Sequence, residues 1–357
     1  MVQTDTRAQG VQVNQAETAV SGNVDILDFI YSFLPVEKKY FPSIPVGNTP
    51  LWEPLNLRKK TGFANLYLKD DTLNPTGSLK DRASFLVAAF ARKYGIKDVV
   101  VASTGNAASS MAGIGAAAGL NVRIFIPASA PKAKMVQALQ YGADVTLVNG
   151  TYDRAFDMSV EYTETHGGLN RNTAFNPMTI EGKKTSALEI YAQLNGMPDY
   201  VFVPTGDGVI LSGVYKGFKD IIAAGFACKM PVIYAAQAEG SSAVCRALSA
   251  GDFTKPVASQ TVADSIAVDV PRGGYYALKA LREFGGKCVA VSDNEIVEAQ
   301  HELASVSGLF AEPSSSAAYA GFLKVKNIIP SDSIVVLLIT GSGLKDIDTA
   351  MMGVKMP

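Results

Sequence analysis

A lysine follows directly on a tight turn in the segment L-N-P-T-G-S-L-K-D-R, which runs from Leu73 to Arg82. Ser78 is a candidate N-cap, and the apolar run FLVAAFA from Phe85 to Ala91 predicts a buried helix behind it. Lys80 would then lie in the first helical turn, where the helix dipole disfavours a cation by about 0.3–1 kcal/mol. Dipole and apolar neighbours favour a neutral amine, which can form an imine with an aldehyde or accept a proton. The alternative is an ordinary surface lysine, and Lys80 alone does not decide between the two.

Two further segments place polar groups where a strand is expected to end and a helix to begin. In S-T-G-N-A-A-S-S, from Ser103 to Ser110, exposed N–H groups suit a carboxylate and Asn106 adds an amide. In P-T-G-D-G-V-I-L-S-G, from Pro204 to Gly213, the glycines let the backbone wrap a phosphate. Leu211 replaces the third glycine of a dinucleotide fingerprint, so a single phosphate fits better. Asp207 is an unfavourable neighbour for an anion and is expected to point away.

The last such segment is L-I-T-G-S-G-L-K-D, from Leu338 to Asp346. Thr340 could offer its hydroxyl to a ring nitrogen, although a glycine-rich turn capped by Ser342 explains the segment equally well. Together the four segments supply an amine, a carboxylate site, a phosphate site and a hydroxyl. That combination matches a cofactor with an aldehyde, one phosphate and a pyridine ring, and it predicts pyridoxal 5'-phosphate.

Composition narrows the function classes. The chain has 357 residues, a formal net charge of -1 and 48% hydrophobic residues, so it predicts no binding of nucleic acid or of acidic membranes. No apolar run reaches the roughly 18 residues needed to span a bilayer. The two histidines predict no metal site, and the spacing of Cys228, Cys245 and Cys288 predicts no disulfide and a reducing, cytoplasmic location. A small-molecule substrate is the remaining expectation.

These segments need a scaffold of alternating strands and helices, and the sequence predicts one from about residue 97 onward. Two groups of βα units flank a loop-rich region from His166 to Pro177, which predicts two doubly wound α/β domains with the active site in the cleft between them. Residues 1–22 are expected to form a flexible arm, 23–84 and 182–357 a large cofactor domain, and 85–181 a small substrate-side domain. The predicted strands are Val99–Ser103, Val122–Ile126, Asp144–Val148, Tyr200–Pro204, Val232–Gln237, Lys287–Val291 and Ile334–Ile339.

The chain resembles the fold type II pyridoxal-phosphate enzymes and, within them, the threonine synthases. The resemblance runs from about residue 24 to 352, and the segments that carry it are VGNTPL, YLKDDTLNPTGSLKDR, ASTGNAASS, PKAKMVQALQYGA, NPMTIEGKKTSALEI, PTGDGVILSGVYKGF, FAEPSSSAAYAG and TGSGLKD. EGKKT and TGSGLKD favour threonine synthases over cysteine synthases and dehydratases. A non-catalytic α/β binding protein is the alternative of a different class.

The resemblance implies a role for each matching position. Lys80 would hold the cofactor and later move protons, Asn106 would bond the cofactor's ring oxygen, and Thr340 would meet the pyridine nitrogen. The backbone of the turn would bind the cofactor phosphate through Gly206, Asp207, Gly208, Val209 and Ile210. Substrate contacts would come from Ser103, Thr104, Ala107, Asn176, Thr179 and Lys184. The implied reaction is the conversion of O-phospho-L-homoserine to L-threonine and phosphate by a homodimer.

Two positions depart from the pattern of threonine synthases. The substrate-phosphate arginine of N-P-x-R-x-E-G-x-K-T is Thr179 here, and the second asparagine of G-N-x-G-N is Ile210. Compensation could come from Lys183, Lys184, Arg171 or Arg272, although surface roles are expected for at least two of them. The departures therefore leave open β-replacement or β-elimination on O-phosphoserine, serine or threonine, as in cysteate synthases and dehydratases.

Overall fold

A computed structural model describes residues 25–103, 105–128 and 132–354 of the chain. The expected arm over residues 1–22 lies outside the described residues. The strands are β1 (Leu51–Trp52), β2 (Leu66–Asp70), β3 (Asp98–Ala102), β4 (Asn121–Pro127), β5 (Asp144–Val148), β6 (Leu169–Asn170), β7 (Tyr200–Pro204), β8 (Val232–Ala238), β9 (Lys287–Val291) and β10 (Val335–Ile339). Among the described helices, none is long and apolar enough to cross a membrane.

The helices alternate with these strands along most of the chain. They are α1 (Ile26–Ser32), α2 (Leu55–Thr61), α3 (Lys80–Lys93), α4 (Asn106–Ala118), α5 (Lys132–Gln140), α6 (Tyr152–His166), α7 (Met178–Lys183), α8 (Thr185–Leu194), α9 (Val209–Ala223), α10 (Ala243–Ala250), α11 (Gly274–Glu283), α12 (Asp293–Glu302), α13 (Pro313–Val325) and α14 (Ile347–Ala350). Short 3-10 turns, such as Asp264–Ile266 and Gly343–Lys345, connect several of them.

The larger sheet has six strands in the order β1-β2-β10-β7-β8-β9, and all neighbours except the β1–β2 pair are parallel. Side chains alternate between its two faces, as the period of a strand requires. Phe202 packs on one face against α2, α12 and α13, while Val201 and Val203 pack on the other against α1, α8, α9, α10 and α11. Helices therefore cover both faces of this sheet.

The smaller sheet has four parallel strands in the order β5-β4-β3-β6. Val99 and Val101 face a core shared with α3 and α4, whereas Val100 and Ala102 face α6. Both sheets are thus doubly wound, and the predicted α/β fold class is confirmed. The domain boundaries at 84/85 and 181/182 stay a prediction; they fall within α3 and α7.

The sequence missed three strands, namely β1, β2 and β6, and placed no strand before residue 97. It also predicted no disulfide, which is wrong for the structure. Cys245 in α10 and Cys288 in β9 are bonded, with a Cα–Cα distance of 5.3 Å. These residues lie 43 positions apart, and only the packing of α10 on the sheet brings them together.

Helix α3 links the two sheets. Its first residues are tied to the larger sheet, because the N–H of Leu79 donates to the carbonyl of Thr340 at 2.8 Å. Its later residues pack on the smaller sheet. Gly182 in α7 lets the two helices approach closely, since a Cβ there would lie 2.3 Å from the carbonyl oxygen of Arg82. Lys80 consequently lies where the chain passes from one sheet to the other.

Candidate active site

Lys80 is the first residue of α3, as the sequence predicted. The turn before it is fixed by Asp81, whose carboxylate accepts hydrogen bonds from the N–H and hydroxyl of Thr76 at 2.7 and 2.5 Å. Ser78 does not cap the helix: Leu79 occupies the N-cap position, and the Ser78 hydroxyl is buried without a hydrogen-bond partner. Within the part of the chain that the structure describes, no oxygen lies within hydrogen-bond distance of Lys80 Nζ.

The surroundings of Lys80 favour its neutral form. Burial is the largest effect and lowers the pKa of Lys80, and the positive charge of Arg171 lowers it further. The carboxylates of Glu312 and Asp207 act in the opposite direction without overcoming burial. A buried amine with a lowered pKa is the form that bonds to an aldehyde or accepts a proton.

Glu312 is a site residue that the sequence analysis did not identify. It precedes Pro313 at the start of α13, and its carboxylate accepts a hydrogen bond from Asn106 Nδ2 at 2.9 Å. Burial raises the pKa of Glu312, and the charge of Lys80 opposes that rise. Gly341 leaves room for it, because a Cβ there would lie 2.6 Å from the Glu312 carboxyl carbon. The only sequence signal was the glutamate of FAEPSSSAAYAG, to which no role was assigned.

The hydroxyl of Thr340 lies at the end of β10, as predicted, and it is paired with a second hydroxyl. Ser315 Oγ lies 2.9 Å from Thr340 Oγ1 and accepts hydrogen bonds from the N–H groups of Thr340 and Gly341 at 3.0 and 2.8 Å. Both side chains are buried. Ser315 therefore fixes the polar end of the site that Thr340 was expected to form alone.

The glycine turn after β7 is closely packed against its neighbours. A Cβ on Gly206 would lie 2.9 Å from the Ile266 Cα, and Gly208 has a φ of +86° that favours glycine. Asp207 does not point away as expected, since its Oδ1 accepts the N–H of Val209 at 2.9 Å. The side chain of Val209 is buried and that of Ile210 packs into the apolar core, so only backbone groups here can serve a ligand, and the Val209 N–H is already donated to Asp207.

The β3–α4 junction holds three of the predicted residues. Ser103 is half-buried and its hydroxyl accepts the N–H of Gly105 at 3.2 Å. Asn106 and the half-buried Ala107 begin α4. Thr104 lies outside the described residues. Asn106 is hydrogen-bonded to Glu312, whose carboxylate lies within electrostatic range of Lys80.

The structure does not bring the other predicted substrate residues to Lys80 as free groups. The Asn176 amide accepts the N–H of Met178 at 2.9 Å and donates to the Asn170 carbonyl at 2.8 Å. Thr179 is buried, and its hydroxyl donates to the Asn176 carbonyl at 2.8 Å. Lys184 is ion-paired with Glu181 at 2.6 Å and with Asp220 at 2.7 Å.

The expectation of surface roles for at least two of the four possible compensating residues is wrong, because only one of them is exposed to solvent. Arg272 is partly exposed and pairs with Asp153 at 2.5 Å. Arg171, Lys183 and Lys184 are buried. Sequence reasoning missed this because helix α7 packs between α3 and α9, so a lysine there faces protein rather than solvent.

The described residues fit pyridoxal phosphate. Lys80 supplies an unpartnered amine, and the Thr340–Ser315 hydroxyl pair lies at the end of β10, joined to the start of α3 through the Leu79–Thr340 hydrogen bond. The Ser78 hydroxyl, beside Gly341, is buried without a hydrogen-bond partner among the described residues, so it is available to a polar group of a ligand. The turn over residues 206–210 would hold the phosphate through backbone N–H groups.

Comparison with known proteins agrees with this geometry. Residues 43–341 match the family model described as pyridoxal-phosphate dependent enzyme. The chain is 37% identical over 332 residues to a threonine synthase of Methanocaldococcus jannaschii, covering 91% of this chain and 82% of that protein. It is 36% identical over 324 residues to a threonine synthase of Methanosarcina acetivorans, covering 89% and 80%.

A solved structure shows the same fold at lower identity. The processed form of threonine deaminase isoform 2 from Solanum lycopersicum superposes with a TM-score of 0.78 at 24% identity, over 92% of each chain. The chain therefore belongs to the pyridoxal-phosphate dependent enzymes, as a fold type II lyase similar to threonine synthases.

Proposed function

We propose that this enzyme converts O-phospho-L-homoserine to L-threonine and phosphate. The observation that carries the proposal is the likeness to threonine synthases over about nine tenths of the chain, at 37% identity. The amine of Lys80 supports it, since burial lowers its pKa and an amine with a lowered pKa can serve as both acid and base. Bound pyridoxal phosphate would supply an aldehyde that takes up amines and a ring that withdraws electrons from them.

The residues of the chain divide the remaining work. Lys80 accepts the proton from the substrate α-carbon and returns a proton later in the reaction. The N–H groups that begin α4, together with Ser103, hold the substrate carboxylate. Glu312 keeps Asn106 oriented toward the same space through their 2.9 Å hydrogen bond. Thr340 and Ser315 are hydroxyls, and a hydroxyl does not protonate a ring nitrogen, so the electron withdrawal stays moderate.

A second candidate reaction is favoured by a specific observation. Ile210 is buried in the apolar core, and the Thr179 hydroxyl donates to a backbone carbonyl. Neither residue therefore makes the polar substrate contact of the threonine synthase pattern. We therefore keep β-replacement or β-elimination on O-phosphoserine, serine or threonine as the alternative. The proposal also includes a homodimer and a cytoplasmic location, and the Cys245–Cys288 bond is the observation that opposes that location.

The test is an assay of the purified enzyme with its cofactor bound. We expect release of phosphate and formation of L-threonine from O-phospho-L-homoserine. Lys80→Ala should lower the rate by about three orders of magnitude or more and abolish the visible absorption of the bound cofactor. Lys80→Arg is the matched control, because it keeps a cation but cannot supply a neutral amine.

The outcomes separate the two reactions. Phosphate without threonine, or turnover of O-phospho-L-serine alone, would replace the leading proposal with the alternative. Full activity in Lys80→Ala would contradict both.

A further inference from the structure

Two buried basic side chains near Lys80 have nitrogen atoms that no described protein atom satisfies. Lys183 is 1% exposed and Arg171 is 0% exposed. Lys183 Nζ and Arg171 Nη2 have no hydrogen-bond partner among the described residues, and no described carboxylate forms an ion pair with either side chain. Buried charges are normally paired, because removing them from water without a partner is costly. Both atoms are therefore expected to meet a ligand.

Arg171 is held rigidly with one donor left over. Its Nε donates to Ser84 Oγ at 3.3 Å and its Nη1 donates to Thr173 Oγ1 at 3.0 Å. Its backbone N–H donates to the Val100 carbonyl at 2.7 Å, which places it at the carboxyl end of the smaller sheet. Two neutral hydroxyls orient the guanidinium without neutralising it.

Lys183 lies on a different element, as the last residue of α7. Its Cβ packs against Gly213 in α9, where an added Cβ would lie only 2.8 Å away. It lies four residues after Thr179, so the two side chains share one face of the helix. The side chain of Lys183, one helical turn after Thr179, therefore faces the region next to Thr179.

The two cations lie within electrostatic reach of each other and of Lys80. Burial lowers the pKa of Lys183 most strongly, the charges of Lys80 and Arg171 lower it further, and Asp207 opposes them. Burial likewise lowers the pKa of Arg171 to about 10, although the charges of Tyr152, Asp207 and Asp81 act to raise it. Asp207 and Asp81 accept hydrogen bonds from Val209 and Thr76, and neither forms a hydrogen bond with Lys183 Nζ or Arg171 Nη2.

We propose that Lys183 and Arg171 bind the anionic side-chain group of the amino-acid substrate, a phosphate or a group of the same shape. This inference rests on the proposed function, because it takes Lys80 as the centre of the reaction. A lysine amine, which a bound anion would hold in its protonated form, and a guanidinium on a separate element suit a tetrahedral oxyanion, whose oxygens accept hydrogen bonds from several directions. The substrate carboxylate has a different place, at the start of α4, and the turn over residues 206–210 serves the cofactor phosphate.

Binding of unreactive ligands to the cofactor-loaded enzyme tests this directly. The probes are the phosphonate isosteres of O-phospho-L-homoserine and O-phospho-L-serine, in which a methylene replaces the ester oxygen. The third probe is L-norvaline, whose side chain is uncharged. Dissociation constants are measured by calorimetry. The wild type should bind at least one phosphonate with much higher affinity than L-norvaline. The phosphonate that binds more tightly identifies the side-chain length that the site accepts.

Lys183→Met should weaken phosphonate binding about 10- to 100-fold, the effect of losing one charge-assisted hydrogen bond. Its affinity for L-norvaline should stay within about twofold, as expected if only the distal contact is lost. Arg171→Gln and Lys183→Gln should behave alike, which keeps the test valid if one variant fails to fold. Lys59→Met, at an exposed lysine of α2, is the control for the change in net charge.

Two results would overturn the inference. Unchanged phosphonate affinity in the Lys183 variants is the first. The second is loss of the cofactor's visible absorption before any ligand is added, which would assign Lys183 to the cofactor instead. The proposed function is tested separately. If the wild type forms threonine but Lys183→Met binds the phosphonates as tightly as the wild type does, only the inference about Lys183 and Arg171 is contradicted. If phosphonate binding depends on Lys183 but the enzyme makes no threonine, only the proposed reaction is contradicted.

Discussion

The enzyme buries two groups of charged side chains, and they differ in whether the protein satisfies them. The first, here the ion network, consists of Lys69, Asp71, Arg82 and Glu189. The second, the unpartnered pair, consists of Lys183 and Arg171. All six side chains are nearly inaccessible to solvent. Arg82 lies only two residues beyond Lys80, so the two groups flank the same turn of α3.

Every charge in the ion network has partners. Arg82 binds both oxygens of Asp71 at 2.7 Å and Glu189 Oε2 at 2.8 Å. Lys69 Nζ reaches Glu189 at 2.6 Å and the Thr49 carbonyl at 2.7 Å. Glu189 also accepts the N–H of Asn48 at 2.7 Å. The network thereby fastens the VGNTPL segment, β2, α3 and α8 to one another.

The contrast assigns different work to the two groups. A buried charge whose hydrogen bonds are complete holds the fold, and its removal leaves its partners unpaired. A buried cation left incomplete destabilises the protein by itself and gains its partner when a ligand binds. The ion network therefore positions Lys80, whereas the unpartnered pair selects what reaches it.

The largest effect on stability is expected from Arg82→Met. Asp71 and Glu189 would stay buried without their guanidinium, so the free energy of unfolding should fall by about 3–5 kcal/mol. Chemical denaturation measures it. Lys219→Met, which breaks an exposed pair with Glu283, is the control and should cost less than about 1 kcal/mol. Equal losses in the two variants would remove the distinction on which the comparison rests.

A slightly smaller loss in the free energy of unfolding is expected when the pH is lowered. Burial would raise the pKa of Glu189, but the charges and hydrogen bonds of Arg82 and Lys69 outweigh it and lower the pKa from 4.5 to about 2. A lowered carboxylate pKa stabilises the folded state above the ordinary value, and the contribution is lost as pH falls toward the folded value. Glu189 should contribute about 3 kcal/mol at neutral pH, lost between about pH 5 and pH 2.

Comparison with Glu189→Gln isolates this contribution. The variant should be less stable than the wild type at neutral pH, and its unfolding free energy should fall less steeply between pH 5 and pH 2. Parallel pH profiles for the two proteins would show that Glu189 does not carry the charge of the network.

The same comparison explains what the sequence could predict. Strands such as β5, β7 and β9 have regular patterns and were predicted with their observed bounds. Strand β2 was missed because its buried Lys69 and Asp70 look like surface residues. Lys69 is satisfied by Glu189, which lies 120 residues further along the chain, so no local pattern indicates the burial.

The site divides in a similar way. Lys80, Asn106 and Thr340 follow strand ends or turns that are visible locally, so their neighbourhoods could be predicted. Ser315 and Glu312 reach the site only through the packing of α13 against the end of β10. The pairing of Lys184 with Glu181 follows from their local spacing, whereas its second partner, Asp220 in α9, is brought there only by the packing of the helices.

The smallest expected effect gives the most direct test of the account. The unfolding free energy of Lys183→Met is measured beside that of Arg82→Met, without substrate and in buffer free of phosphate. Because Lys183 Nζ has no partner among the described residues, its removal should change stability by less than about 1 kcal/mol, or should stabilise the protein. A loss in Lys183→Met as large as that in Arg82→Met would contradict the account, since Lys183 would then hold the fold rather than await a ligand.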